Sequence, residues 1–356
     1  VTVFFVKRQG GFGLSDSRVV PASDGSLGQA VDLLGRGELV AIPTETVYGL
    51  AANAWDTQAV GRIFAAKGRP ANNPLIVHVA SVDRVGDAIA WPVDRTIESQ
   101  FQAIVDLWPG PLTIVCRRSP QVPDLVTAGL DTVAVRVPSH PVAQELLRRC
   151  PFPLAAPSAN RSNYISPTTA QHVATGLLHH VSMIIDGGPC QYGLESTIVA
   201  LHESGPQLLR PGGITREQLS ERFQAAGFQL QEKNQPATLR QHDSDKQLAP
   251  MLAPGMMKQH YSPHTPLVLL GAATPIDVPP RTGRIAFFPL TREEASRYEV
   301  VATLSNDGRL ETVAQNLFAA LRRLDDQGLD QIHCDTCQPT EVGRAIMDRL
   351  DRAAAK

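Results

Sequence analysis

Lys67-Gly68-Arg69-Pro70-Ala71-Asn72-Asn73-Pro74-Leu75-Ile76-Val77-His78-Val79 joins the end of a predicted helix to a predicted inner strand, with three polar groups suited to anion binding in between. Upstream, Val60, Ile63, Phe64 and Lys67 fall at helical spacing. Gly68 and Pro70 must end that helix, so Lys67 and Arg69 are expected to emerge from its last turn and point out of a loop. Downstream, residues 75–79 are short, apolar and β-branched, the pattern of an inner strand on which Ile76 and His78 share a face. A basic helix end also complements the helix dipole, and a strand histidine is often a satisfied core residue. The segment alone therefore admits a structural reading beside the nucleotide-site reading.

Outward from there, helical and strand-like patterns alternate from about residue 26 to residue 213. Ser26 is placed to cap a helix carrying Leu27, Ala30, Val31 and Leu34, which ends at Gly35 and Gly37 and feeds a strand at 39–42. Further strands are predicted at 112–116, 132–137, 154–156, 183–185, 196–201 and 207–209, making one α/β unit with a large sheet. Thr215 and Gln218 form a capping box for a helix with Leu219, Phe223 and Ala226 that stops at Gly227. Residues 228–250 are polar, without apolar periodicity, and read as a linker. Strands at 267–270 and 285–288 and amphipathic helices at 311–324 and 342–353 then predict a smaller α/β unit.

The 356 residues are 43% apolar and 19% charged, ordinary for α/β protein and long enough for two domains. With 33 basic and 35 acidic residues the net charge is −2, so no global field recruits nucleic acid, and any polyanion site must be a local cluster. Five scattered cysteines, Cys116, Cys150, Cys190, Cys334 and Cys337, fit a reducing compartment, with the cytoplasm as the expected location. Cys334 and Cys337 form a lone C-x-x-C beside His333, with no second pair at zinc-ribbon spacing. No apolar run reaches membrane-spanning length, and residues 1–6 are too short for a signal-peptide core. A Walker-type loop, a GxGxxG turn and a kinase signature are absent, and Gly10-Gly11-Phe12-Gly13 lacks the strand and helix such a loop requires.

Several segments place chemistry at strand ends, where open α/β sheets hold ligands. Pro43-Thr44-Glu45-Thr46 follows the strand at 39–42; its hydroxyls suit a small polar substrate or an ST-turn satisfying its own backbone. Along 132–137, Val133, Val135 and Val137 face one way, and Thr132, Ala134 and Arg136 the other. Arg136 needs an anion, either a ligand carboxylate or a protein acid across the sheet. Ala156-Pro157-Ser158-Ala159-Asn160 ends another strand. Ser166 followed by Pro167 is placed as the N-cap of a helix with Ala170, Val173, Ala174 and Leu177, a terminus suited to phosphate. Glu195-Ser196-Thr197 enters a strand, and Arg210 leaves one before Gly212 and Gly213.

Taken in order, Pro-Thr-x-Thr-x-Tyr-Gly-Leu, Lys-Gly-Arg-Pro, Trp108-Pro109-Gly110-Pro111-Leu112-Thr113, Pro157-Ser158-Ala159-Asn160, Asp186-Gly187-Gly188, Gly193-Leu194-Glu195-Ser196-Thr197-Ile198 and Leu209-Arg210-Pro211-Gly212 resemble the YrdC-type threonylcarbamoyl-AMP synthases. Ala253-Pro254-Gly255-Met256, His260-Tyr261-Ser262-Pro263 and 343–350 resemble the linker and second domain of the long form. The resemblance implies a twisted-sheet α/β domain with a concave basic cavity, joined to a smaller Rossmann-like α/β domain. The boundaries are an extension at 1–21, a catalytic domain at 22–217, a helix and lid-like linker at 218–265 and a C-terminal domain at 266–356.

It further implies a nucleotidyltransferase that makes L-threonylcarbamoyl-AMP from L-threonine, bicarbonate or CO2, and ATP, releasing pyrophosphate. That is the first step of N6-threonylcarbamoyladenosine formation at tRNA position 37. By position, Thr46, His78, Arg136, the Ala156 backbone and Ser196 resemble the threonine-contacting set. Lys67, Arg69, Asn73, Thr132, Ser158, Asn160, Ser166, Arg210 and Tyr261 resemble the ATP set. The resemblance supplies no covalent nucleophile and no assigned general base; His78 is the one candidate base and fits a binding role better. Mg2+ would be held by phosphate oxygens rather than protein ligands. The implied partners are a downstream threonylcarbamoyl transferase complex acting on tRNA, with at most a weak tRNA contact, and no membrane. Met256-Met257-Lys258-Gln259 departs from the basic and aromatic residues usual there, so lid contacts to phosphate are expected to differ.

The sequence also admits two other readings. A carbamoyl transferase handling carbamoyl-adenylate would carry O-carbamoylating or zinc-finger modules, which this chain lacks. A non-catalytic RNA- or nucleotide-binding module predicts steeply salt-dependent affinity, against which stand the near-neutral charge and the lack of an aromatic-rich basic stripe.

Overall fold

The computed structural model describes residues 17–232, 253–254, 260–271 and 278–355. The glycine-rich run at 10–13, most of the predicted linker and Met256 to Gln259 lie outside the described residues. The first sheet has eleven strands: β1 (Val19–Pro21), β2 (Val40–Ile42), β3 (Gly49–Asn53), β4 (Ile76–His78), β5 (Leu112–Arg117), β6 (Thr132–Arg136), β7 (Leu154–Ala155), β8 (Met183–Asp186), β9 (Thr197–Ala200), β10 (Gln207–Arg210) and β11 (Gln231–Glu232). Their spatial order is β1-β8-β2-β3-β7-β4-β6-β5-β9-β10-β11, with parallel and antiparallel pairs mixed. A second sheet, β12 (Leu267–Leu270), β13 (Thr282–Ala286), β14 (Val300–Thr303) and β15 (Gln331–Asp335), runs β12-β15-β13-β14 and is parallel throughout.

Alternation along the strands decides what faces the site. Val77 and Val135 join the main core, together with Leu50, Ile63 and Ile114. Their neighbours Ile76, His78, Ala134 and Arg136 turn to the opposite face, as the sequence pattern predicts. The parallel pairing of β4 with β6 sets His78 directly beside Arg136. The helix Thr57–Lys67 starts on Asp56, whose carboxylate accepts the Gln58 and Ala59 amides, and ends where Gly68 turns left-handed at φ 61°.

Two predicted caps are corrected. The first helix is Asp24–Gly35 and its cap is Ser23; Ser26 is the third helical residue and returns the capping-box bond. Ser166 caps nothing: the helix Ala170–Leu177 begins on Thr169, which accepts the His172 amide. The reason lies in the carbonyls of the segment. Pro167 O accepts the Tyr48 amide at 2.9 Å and Thr168 O the Cys190 amide at 3.0 Å, so neighbouring loops take the carbonyls that a helix starting at Ser166 would need.

Other corrections concern strands. The predicted linker yields β11, which pairs with β10, and Leu230 is buried in the main core. The predicted extension contributes β1, paired with β8. β3 reads Gly-Leu-Ala-Ala-Asn, without a β-branched residue, and owes its conformation to its place between β2 and β7. β14 and β15 escape the pattern reading, and the strand expected at 285–288 sits earlier, at Thr282–Ala286.

The helix Leu310–Asp325 packs against the first sheet's loops. Arg322 donates to Ile165 O and lies over the Tyr164 ring, 4.8 Å from its centroid, while Tyr164 Oη donates to Asp325 at 2.9 Å. Gly193 enters this contact at φ 72°, where a Cβ would stand 2.4 Å from Gln315 O. Gly193→Ala is therefore expected to cost about 2–4 kcal/mol, from backbone strain together with backbone overlap, read as a lower urea midpoint.

Candidate active site

One cavity opens where β2, β4, β6 and β9 present their ends. Thr44, Thr46, His78, Arg136, Ala156, Ser158, Ser196, Glu195, Arg69 and Arg210 line it, and Pro254, His260 and Tyr261 close it from outside the first sheet. All five residues of the expected threonine set reach it. Of the expected ATP set, Arg69, Ser158, Arg210 and Tyr261 reach it.

Lys67, Asn73, Asn160 and Ser166 stand one contact behind. Lys67 Nζ donates to Ser158 O and Asn160 O, both at 2.5 Å. Arg69 donates to Asn73 O at 2.9 Å, Asn73 Oδ1 at 2.6 Å and Pro74 O at 2.6 Å. Asn160 Nδ2 donates to Arg161 O and Tyr164 O, and Ser166 Oγ donates to Glu195 at 2.5 Å. Thr132 is not brought in. It lies at the far end of β6, paired with Arg117, four residues from Arg136 and hence about 13 Å away.

The expectation that Lys67 and Arg69 point outward is corrected: they are 2% and 9% exposed. The folded loop at 68–74 turns its own carbonyls onto Arg69, while the Ser158 and Asn160 carbonyls hold Lys67. Burial, reinforced by the Arg69 charge, holds Lys67 well below the usual lysine range. Burial and the like charge of Arg210 bring Arg69 down to about 9, against a raising contribution from Tyr261. Such desolvated cations gain most from an anionic ligand.

Of the two partners the sequence left open for Arg136, the structure shows the protein acid. Its Nη2 pairs with Glu45 Oε1 at 2.6 Å, with side chains 4% and 3% exposed, and its Nη1 donates to Thr46 Oγ1 at 2.9 Å. Thr44 shows the local-turn reading, since its hydroxyl donates to Val47 O at 2.6 Å. Arg210 donates to Ser196 O at 2.9 Å and Ser196 Oγ at 3.2 Å, and Thr113 Oγ1 lies 2.7 Å from Ser196 Oγ. Residue-by-residue reading gave Glu45, Glu195, Thr113 and His260 no role. The two acids stood in quoted motifs, and their signal was the need of buried arginines for partners.

His78 is held neutral. Burial, with the Arg136 charge, lowers its pKa to about 3 from 6.5. The unfolded chain takes up this proton below about 6.5 and the folded one does not until about 3, so stability falls as pH drops through that window. His78→Gln is expected to flatten the dependence of unfolding free energy on pH by about 1.4 kcal/mol per pH unit between pH 4 and 5.5, read by urea titration.

Tyr261 adopts φ 63°, a conformation costly for an aromatic residue. Its ring stacks on Phe318 with centroids 5.5 Å apart and has Arg349 Cζ 5.2 Å from its centroid. With His260 and Tyr261 seated, the free cavity volume is about 50 Å³, well under the ~300–1,000 Å³ of a small-molecule pocket.

Fold and site define an α/β protein with a buried cavity, lined by Arg69, Arg136, Arg210 and Glu195 among others and closed by residues from outside its main sheet. Residues 32–212 match the Sua5–YciO–YrdC family model, described as "Telomere recombination", and residues 214–355 match the model "Threonylcarbamoyl-AMP synthase, C-terminal domain". The chain belongs to the Sua5–YciO–YrdC family, in the form that carries this C-terminal domain.

It is 40% identical to the threonylcarbamoyl-AMP synthase of Bacillus subtilis, over 93% of this chain and 94% of that one. It is also 40% identical to that of Pyrococcus abyssi, over 91% and 93%. The P. abyssi Sua5 structure complexed with L-threonine superposes with a TM-score of 0.79 at 35% identity, covering 94% of this chain and 96% of that one. A P. abyssi variant with a histidine and a tyrosine replaced by alanine superposes equally, at 0.79 and 34%, with the same coverage.

Proposed function

We propose that this chain synthesises L-threonylcarbamoyl-AMP from L-threonine, bicarbonate or CO2, and ATP, releasing pyrophosphate. The observation that carries this reading is the convergence of Thr46, His78, Arg136, Ala156 and Ser196 with Arg69, Ser158 and Arg210 on one cavity, in a chain whose relatives bear that activity's name along nearly their whole length.

The threonine carboxylate takes its place at Arg136 and Thr46, exchanging with or joining Glu45. The triphosphate lies toward Arg69 and Arg210, with Lys67 behind Ser158. The threonine amine adds to CO2 and loses a proton to give a carbamate. A carbamate oxygen then forms a bond to the α-phosphorus of ATP while the α–β bridging bond breaks and pyrophosphate leaves. Positioning and charge stabilisation carry the rate.

Mg2+ would come bound to the nucleotide and would supply neutralisation of phosphate charge. Glu45 and Glu195 are committed to Arg136 and Arg349, and among the described residues no group of three or more His, Cys, Asp and Glu side chains is placed to hold a metal. Tyr261 and His260 must withdraw to admit ATP and return over it, which makes the segment around them a lid. The labile adenylate passes to a threonylcarbamoyl transferase complex acting on tRNA, in the cytoplasm. No helix of the described residues is long and apolar enough to cross a membrane.

The reaction is tested by pyrophosphate release with each substrate withheld in turn. Release that needs threonine and bicarbonate as well as ATP supports the reading, and release from ATP alone contradicts it.

A further inference from the structure

Arg349 lies in the last helix, Glu341–Ala354, beyond the sheet that builds the cavity, yet it heads the fully buried side chains at 1% exposure. A buried guanidinium persists only when paired and hydrogen-bonded. Its Nε donates to Glu195 Oε2 at 2.7 Å, Nη2 to Pro211 O at 3.0 Å and Nη1 to Asp348 Oδ2 at 2.5 Å. Its Cζ also lies 5.2 Å from the Tyr261 ring centroid. Glu195 and Pro211 are the immediate neighbours of Ser196 and Arg210, which line the cavity and bond each other. One rigid fork therefore spans the start of β9, the end of β10 and the closing tyrosine.

We propose that Arg349 is a positioning residue for the ligand site, bridging Glu195 and Pro211 so that Ser196, Arg210 and Tyr261 keep their places, and that the C-terminal unit is thereby part of the site. The inference rests on the ATP-dependent reaction proposed above. Glu195 also interacts with Lys67 and Arg210 through space and accepts the Ser166 hydroxyl. Burial works to raise its pKa, and the charges of Arg349 and Arg210 outweigh burial and keep it ionised. With Arg349 gone, this carboxylate turns to Lys67 and Arg210 and competes with the nucleotide phosphates for them.

The test compares Arg349→Lys, Arg349→Met and the double variant Arg349→Met with Glu195→Gln. The readouts are the KM for ATP and for threonine, kcat, calorimetric ATP affinity and thermal midpoint. A lysine keeps the charge but cannot bond Glu195 and Pro211 together. Arg349→Lys is expected to keep a near wild-type midpoint while raising the KM for ATP about tenfold or more, with a smaller change for threonine. Arg349→Met is expected to lose more, and the added Glu195→Gln to recover part of the ATP affinity by removing the competing charge.

Wild-type kinetics in both single variants, a lowered midpoint with unchanged kinetics, or a double variant no better than Arg349→Met would overturn the proposal. If Arg349→Met does not fold, Arg349→Lys decides. A wild-type protein without turnover overturns the reaction, whereas ATP affinity equal in wild type and Arg349→Lys overturns the positioning role.

Discussion

Arg136→Met is expected to abolish threonine-dependent turnover and to lower stability by about 3–5 kcal/mol, the cost of leaving a buried carboxylate without its partner. The orphan is Glu45, paired with Arg136 at 2.6 Å, with both side chains buried. Its pKa reflects two opposing effects: burial raises it, and the Arg136 charge and hydrogen bond more than offset the rise and hold it below 4.5. The pair therefore contributes its full stability above about pH 4.5 and loses it as pH falls through the depressed folded value. Adding Glu45→Gln to Arg136→Met should restore most of the stability and none of the activity. Urea unfolding and pyrophosphate release separate the two, and a double variant as unstable as the single one would show that Glu45 is not the cause.

Lys67→Met is the second change of large effect. The ammonium holds Ser158 O and Asn160 O together at 2.5 Å each, at the end of β7. Removing it leaves two buried carbonyls unsatisfied and frees the loop that presents Ser158 to the cavity, at a cost of about 2–4 kcal/mol. Its effect on nucleotide binding is indirect, through the loss of Ser158 from its place in the cavity wall. The expected result is a rise of about tenfold to a hundredfold in the KM for ATP, with a much smaller change for threonine. Equal effects on both substrates would mean that Lys67 acts on the fold alone.

Much of this was legible in the sequence wherever local pattern and tertiary need agree. The helix ending at Gly68, the inner strand 76–78 and the facing of Arg136 all follow from periodicity. So does the capping box at Thr215 and Gln218, which the fold keeps at the start of Arg216–Ala225. Failures came where a distant partner decided. Ser166-Pro167 has the local chemistry of a cap, but Tyr48 takes the Pro167 carbonyl, and the serine hydroxyl goes to Glu195. β3 has no strand propensity of its own and is held by neighbours far away in sequence.

At the site, the cations and their need for anions were visible in the sequence, while the pairing of each cation with its acid was not. Pairing of Glu45 with Arg136 joins positions 91 residues apart, and Glu195 with Arg349 joins positions 154 apart. No local pattern reports such distances. Thr132 illustrates the converse. Alternation puts it on the same face as Arg136, but its place at the other end of β6 keeps it from the cavity.

In the proposed reaction one cavity joins threonine, carbon dioxide and the adenylyl group of ATP. The most direct measurement is mass spectrometry of the product formed from ATP, Mg2+, L-threonine and carbon-13-labelled bicarbonate. The expected product is threonylcarbamoyl-AMP carrying the label, dependent on all three substrates and lost in Arg136→Met. Threonyl-AMP without the labelled carbon, or AMP accumulating without threonine, would contradict it.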